Sequence, residues 1–136
     1  MKAKAISPPP LGRGEMAKTI LVADDNSQIR DHVCRLFQSD EDYDVCAEAV
    51  DGQQAIDLAL KHLPNLIILD LSMPVMDGLA AARELKALMP DVPIILFTQY
   101  ADLGKYLFGS DLPVDRVVSK SDPQELVRHV RSLIPA

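Results

Sequence analysis

Short apolar runs recur along the chain, and between them the apolar residues fall at helical spacing. The runs are Thr19–Ala23, Val45–Val50, Leu66–Leu69, Ile94–Phe97 and Val114–Ser119. They are rich in β-branched residues, too short for helices, and too continuously apolar for a sheet with one wet face. The intervening segments read differently. Ile29, Val33, Leu36 and Phe37 mark one face of a helix that begins near Asn26. Gln53–His62 and Gly78–Leu88 are predicted helices, and Leu126, Val127, Val130, Leu133 and Ile134 give a last helix its apolar face, with Ser121 or Asp122 as cap and Pro123 in its first turn. A weaker helix is expected between Ala101 and Phe108, where Gly104 and Gly109 lower the propensity. Strands alternating with helices predict an α/β fold: a single doubly wound, five-stranded parallel sheet with helices on both faces.

A length of 136 residues suits one domain. Residues 1–15, with Pro8, Pro9 and Pro10 in a row and Gly12 and Gly14 nearby, read as a flexible tail, and residues 16–136 as the domain. Lys2, Lys4, Arg13 and Glu15 make the tail net positive, so the domain is more acidic than the overall charge of −6. That balance argues against direct binding to nucleic acid or to an anionic membrane surface. No apolar run approaches the roughly 20 residues of a membrane span. With no secretory leader, Cys34 and Cys46 are expected to be small buried thiols in a reducing cytoplasm.

In an open parallel sheet the ligand site lies beyond the carboxyl ends of the strands. The residues there form a set. Asp24 and Asp25 close the first strand, Asp70 the third, Thr98 the fourth and Lys120 the fifth. An acid directly after Leu66-Ile67-Ile68-Leu69 is hard to reconcile with simple burial. Three carboxylates brought together repel one another unless a cation sits among them. Hard oxygen donors suit Mg²⁺, which tolerates few protein ligands and keeps several waters. A carboxylate beside such an ion is a nucleophile able to form an aspartyl phosphate. Lys120 offers a point charge to a phosphoryl oxygen, and Thr98 a hydrogen-bond donor.

The segments LVADDN (21–26), LIILDLSMPVMDG (66–78), IILFT (94–98) and VVSK (117–120) resemble the CheY-like receiver domains of bacterial response regulators. The resemblance covers essentially residues 18–134 and implies the flavodoxin-like strand order 2-1-3-4-5. It implies Asp70 as phosphoacceptor, with Mg²⁺ held by Asp24, Asp25, Asp70 and the backbone carbonyl of Ser72. Thr98 becomes the switch hydroxyl and Lys120 the partner of the phosphoryl group. The donor implied is a phosphohistidine on a sensor histidine kinase or phosphotransfer protein, and the output is altered affinity for a downstream protein. His32, His62 and His129 lie on predicted helices away from the rim and are not expected to act as donors.

Three positions depart from the family pattern. Val117 stands where an aromatic switch residue is common, which leaves Tyr100 or Tyr106 as mobile rings. Ser121 replaces a frequent proline after Lys120, so a trans bond is expected there. Gln99 is bulkier than the small residue usual after the threonine. Other readings are a receiver cut from a longer DNA-binding regulator, a degenerate receiver that serves only as an interaction module, and an Mg²⁺-dependent aspartyl phosphatase. The last lacks a general acid where Ser72 stands. No glycine-rich phosphate loop follows the first strand.

Overall fold

The computed structural model of the protein describes residues 17–99 and 112–136. The expected tail, the helix expected at 101–108 and both Tyr100 and Tyr106 lie outside them. The strands are β1 (Lys18–Ala23), β2 (Tyr43–Ala49), β3 (Leu66–Leu69), β4 (Ile94–Thr98) and β5 (Arg116–Ser119). The described helices are α1 (Ser27–Gln38), α2 (Gly52–His62), α3 (Gly78–Leu88) and α4 (Pro123–Leu133). All strands pair in parallel in the order β2-β1-β3-β4-β5. Both the fold class and the order are as the sequence and its resemblance implied.

Each described helix starts on a side chain that satisfies an otherwise orphaned N–H. Asn26 accepts from Gln28 N at 2.9 Å, Asp51 from Gln54 N at 2.8 Å, Asp77 from Ala80 N at 2.8 Å and Asp122 from Glu125 N at 3.2 Å. The helices cover the sheet in two layers. Val33 and Phe37 of α1 and Leu126 and Val130 of α4 pack on Ile20, Val22, Leu66, Ile68 and Val118. Ala55 and Ala59 of α2 and Ala82 and Leu85 of α3 pack on Leu21, Ala23, Ile67, Leu69 and Leu96. Both sheet faces are therefore apolar, which explains why β1, β3 and β4 read as unbroken runs. The Tyr43 hydroxyl, buried under α4, donates to Ile134 O at 2.8 Å and ties the end of the chain to the edge strand.

Two strand limits differ from expectation by more than one residue. β2 begins earlier, at Tyr43, because Tyr43 pairs with Lys18 at the start of β1. Its register then slips: Ile20 faces Val45 but Leu21 faces Ala47, so Cys46 is an extra residue. Such a bulge reverses the alternation. Tyr43 and Val45 therefore face α1 and α4, whereas Ala47 and Ala49 face α2 and α3. β5 begins later, at Arg116, where the Asp115 carboxylate takes the Ile94 N–H in place of a strand carbonyl. The thiols correct another expectation. Cys34 and Cys46 are only partly buried, one on the flank of α1 and the other at the bulge.

Asp115 does the work of a strand residue with its side chain. Its N–H donates to Ile94 O at 2.8 Å, and its carboxylate accepts from Ile94 N at 2.8 Å and from Lys86 Nζ at 2.7 Å. Partial burial pushes the carboxyl pKa up, but the hydrogen bonds from Lys86 and Ile94 and the charges of Lys86 and Arg116 prevail, and it lies below the ordinary 3.8. A depressed carboxyl pKa adds stability that is complete above the unfolded value and lost as pH falls through the folded one. Asp115→Asn is therefore expected to flatten the loss of stability from about pH 5 downward. Urea midpoints of variant and parent at neutral and acid pH test this; parallel curves refute it.

Candidate functional site

Alternation along the strands determines which polar residues meet. Asp24 continues the phase of Ile20 and Val22, Asp70 that of Leu66 and Ile68, and Lys120 that of Val118. All three project in step with the sheet face that carries α1 and α4. Each is held by one rung of ladder past its strand. Asp24 N donates to Ala49 O at 3.0 Å, Asp70 N to Ala23 O at 2.9 Å and Lys120 N to Thr98 O at 3.1 Å. Thr98 is fully buried at its strand end, in step with Ile94 and Leu96 on the other face.

Oxygens of Asp24, Asp25 and Asp70 lie within 4.8 Å of one another. Asp24 and Asp70 are 2 % and 6 % exposed, whereas Asp25 opens to solvent. The cluster thus has a buried floor and a wet mouth. Lys120 Nζ reaches Asp24 Oδ2 at 2.6 Å and Asp70 Oδ1 at 3.2 Å. Burial and the neighbouring Asp24 charge raise the Asp70 pKa, with Lys120 opposing them. Burial works against the Lys120 ammonium, but the hydrogen bond and charges of Asp24 and Asp70 outweigh it and raise its pKa. Three carboxylates and one ammonium leave two negative charges uncompensated. An all-oxygen set with that residual charge fits a small hard dication whose remaining ligands are water.

The segment after Asp70 is closed from both ends. Gly78 N donates to Leu71 O at 2.8 Å, and Gly52 N to Met76 O at 2.9 Å. Both contacts need glycine. A Cβ on Gly78 would lie 2.0 Å from Asp70 O, and one on Gly52 would lie 2.4 Å from Met76 O. Between them Met76 N donates to Pro74 O at 2.7 Å around Val75, whose φ is 67°. A β-branched residue there is strained. Val75 is also 83 % exposed, so no packing explains its conformation.

The structure brings together Asp24, Asp25, Asp70 and Lys120, as the strand-end argument anticipated. Thr98 joins them through its backbone bond to Lys120. Ser72 sits exposed in the loop two positions past Asp70, and Gln99 is exposed beside Thr98. Val117 is half-buried on the face lined by α2 and α3. The described peptide bonds are all trans, including Lys120–Ser121. His32, His62 and His129 are carried by α1, α2 and α4, and His129 Nε2 lies 3.0 Å from Glu125 Oε1 on its own helix.

Sequence reasoning missed Arg30 and Glu48. Arg30 Nη1 donates to Asp24 O at 2.7 Å, and its Nε lies 3.3 Å from Glu48 Oε1. Glu48 faces α1 only because the bulge at Cys46 reverses the strand, and nothing in the local sequence announces that bulge.

Comparison with known proteins agrees with this architecture. The family model described as "Response regulator receiver domain" matches residues 20–131. A protein-glutamate methylesterase/protein-glutamine glutaminase of Shewanella frigidimarina is 43% identical over 89 residues, 65% of this chain and 22% of that protein. A probable transcriptional regulator ycf27 of Porphyridium aerugineum is 37% identical over 116 residues, 85% of this chain and 47% of that protein. The chain thus spans less than half the length of these relatives. Among solved structures, the response regulator TrrA of Thermotoga maritima, crystallised in complex with Mg²⁺-BeF, has a TM-score of 0.75 at 34% identity, covering 86% of this chain and 99% of that one. The receiver domain of AraT from Geobacillus stearothermophilus also has a TM-score of 0.75 at 34% identity, covering 87% and 93%. With the family model matching residues 20–131 and the same fold in these solved receivers, the chain belongs to the response regulator receiver domains.

Proposed function

We propose that this receiver accepts a phosphoryl group on Asp70, with Mg²⁺ in the acidic pocket, and thereby changes its affinity for a partner protein. One observation carries the reading: three carboxylates share a space of 4.8 Å while Lys120 Nζ touches both Asp24 and Asp70. TrrA, crystallised with Mg²⁺-BeF, adds support by likeness. Asp24, Asp25, Asp70 and the Ser72 carbonyl are the residues that would hold the ion. When bound, Mg²⁺ offsets negative charge on the phosphoryl oxygens and orients them.

The donor is a phosphohistidine of a sensor kinase or phosphotransfer protein. An Asp70 oxygen attacks phosphorus, an O–P bond forms as the N–P bond breaks, and the leaving imidazole takes a proton from water. Lys120, already beside Asp70, pairs with an oxygen of the transferred group. The Thr98 hydroxyl donates to another and moves with it. Because Thr98 O already accepts from Lys120 N, movement at either residue is passed to the other, and the β4–β5 edge repacks. The chain's own cycle is self-phosphorylation and self-dephosphorylation, without turnover of a separate substrate.

Incubation with a small phosphodonor and Mg²⁺ tests this by intact mass. One base-labile phosphoryl adduct is expected, absent when a chelator replaces the metal. Adduct formation indifferent to chelation refutes the reading, as does steady hydrolysis of a phosphomonoester.

A further inference from the structure

Asp24 is held at every polar atom. Its N–H bonds Ala49 O, its Oδ1 accepts from Asn26 N at 2.9 Å, its Oδ2 meets Lys120, and its carbonyl accepts from Arg30. Only the last of these fixes the peptide plane between Asp24 and Asp25. That plane sets where the exposed Asp25 carboxylate points relative to the buried one. The Arg30 guanidinium is itself fixed, since its Nε is engaged by Glu48 and the two side chains are only 15 % and 11 % exposed. A planar fork can serve both oxygens at once; an ammonium is a single point of charge.

We infer that Arg30, anchored by Glu48, is a positioning residue that orients the Asp24–Asp25 peptide and so sets the affinity of the acidic pocket for its divalent cation. This rests on the proposed Mg²⁺ site and deepens it. Arg30 acts by geometry more than by charge, because Glu48 neutralises it locally. The route starts at the bulge: the extra residue Cys46 turns Glu48 towards α1, Glu48 holds Arg30, and Arg30 holds the carbonyl behind the carboxylates. Groups that orient metal ligands from behind typically affect metal affinity by about 10- to 100-fold when removed.

The test is an Mg²⁺ titration of the full chain followed by the amide NMR signals of Asp25 and Asn26, with far-UV circular dichroism as a check on folding. Arg30→Met is expected to raise the Mg²⁺ Kd by about tenfold. The Mg²⁺ concentration for half-maximal adduct formation should rise in parallel, with a much smaller fall in the limiting rate. Arg30→Lys keeps the charge and should recover little of the affinity. Glu48→Gln keeps a neutral acceptor for Arg30 and should give a smaller rise, which supplies a second measure if Arg30→Met does not fold. A Kd unchanged in Arg30→Met or Glu48→Gln, or fully restored in Arg30→Lys, overturns the positioning role and leaves the Mg²⁺ site standing. Parent protein whose signals ignore Mg²⁺ overturns both.

Discussion

Asp70→Asn is expected to abolish the phosphoryl adduct completely and at the same time to make the metal-free protein more stable at neutral pH. The first effect follows from chemistry: a carboxamide cannot form the mixed anhydride that a carboxylate forms. The second follows from electrostatics. Burial, then the nearby Asp24 charge, raises the Asp70 pKa above its ordinary 3.8, despite Lys120. For an acid with a raised folded pKa, the folded state binds more protons than the unfolded one between the two values. Its favourable contribution is present below the unfolded pKa and disappears as pH rises through the folded pKa. At neutral pH the charge is therefore a net cost to folding, and a neutral amide of the same shape removes it. Lys120 is not stranded, because Asp24 remains 2.6 Å away. Melting curves without Mg²⁺ should place Asp70→Asn above the parent at pH 7, with the gap closing as pH falls towards 3.8. An adduct that survives the substitution would place the acceptor elsewhere. A variant less stable than its parent at pH 7 would mean that the Lys120 contact outweighs desolvation.

The paired gain and loss show why this site was legible from sequence. A carboxylate ending the most apolar strand needs compensation, and Lys120 supplies it only in part. The Leu66–Leu69 run, the Gly78 helix start and the strand-end set could be read because parallel sheets bury both faces and gather their strand ends. Period and chemistry then agreed at Asp24, Asp70 and Lys120. What stayed hidden depends on departures from regular period. The bulge at Cys46 reverses the facing of Glu48, and a Val-Cys-Ala stretch gives no sign of it. Val75 is β-branched, the residue type least suited to a positive φ, so local propensity points the wrong way. Nothing in the sequence singles out Arg30, since its partners are a loop carbonyl and an edge strand distant in sequence. β5 was over-extended for a related reason: Asp115 reproduces a ladder bond with a side chain, which a strand pattern does not encode.

Gly78→Ala is expected to destabilise the protein by about 3 kcal/mol or more, a loss on the order of 15 °C in Tm for a domain of this size. The sign is what makes the prediction informative. Gly78 is the first residue of α3, and in an ordinary helical setting alanine is preferred over glycine by up to about 1 kcal/mol. Here the added Cβ would sit 2.0 Å from Asp70 O, 2.9 Å from Asp70 C and 3.0 Å from Leu71 Cα. All three are backbone atoms, so no side chain can swing aside. Relief requires either α3 to retreat, which breaks the Gly78 N to Leu71 O bond, or the Asp70 peptide to rotate. Rotation displaces the carboxylate from Lys120 and from its two acidic neighbours. Mg²⁺ affinity should consequently fall together with stability, whereas a simple core cavity would lower stability alone. Gly52→Ala meets one residue, Met76, at its carbonyl O (2.4 Å) and at its C and Cβ (both 2.9 Å), and Met76 is flanked by exposed Val75 and Asp77, which leaves that segment more freedom to move. It should cost less and should change Mg²⁺ binding less. Thermal melts with and without Mg²⁺ on the two variants order these effects. A Gly78→Ala protein as stable as its parent would show that the Asp70 peptide is not wedged against α3, and a Gly52→Ala variant with the larger loss would reverse the assignment of which glycine holds the site.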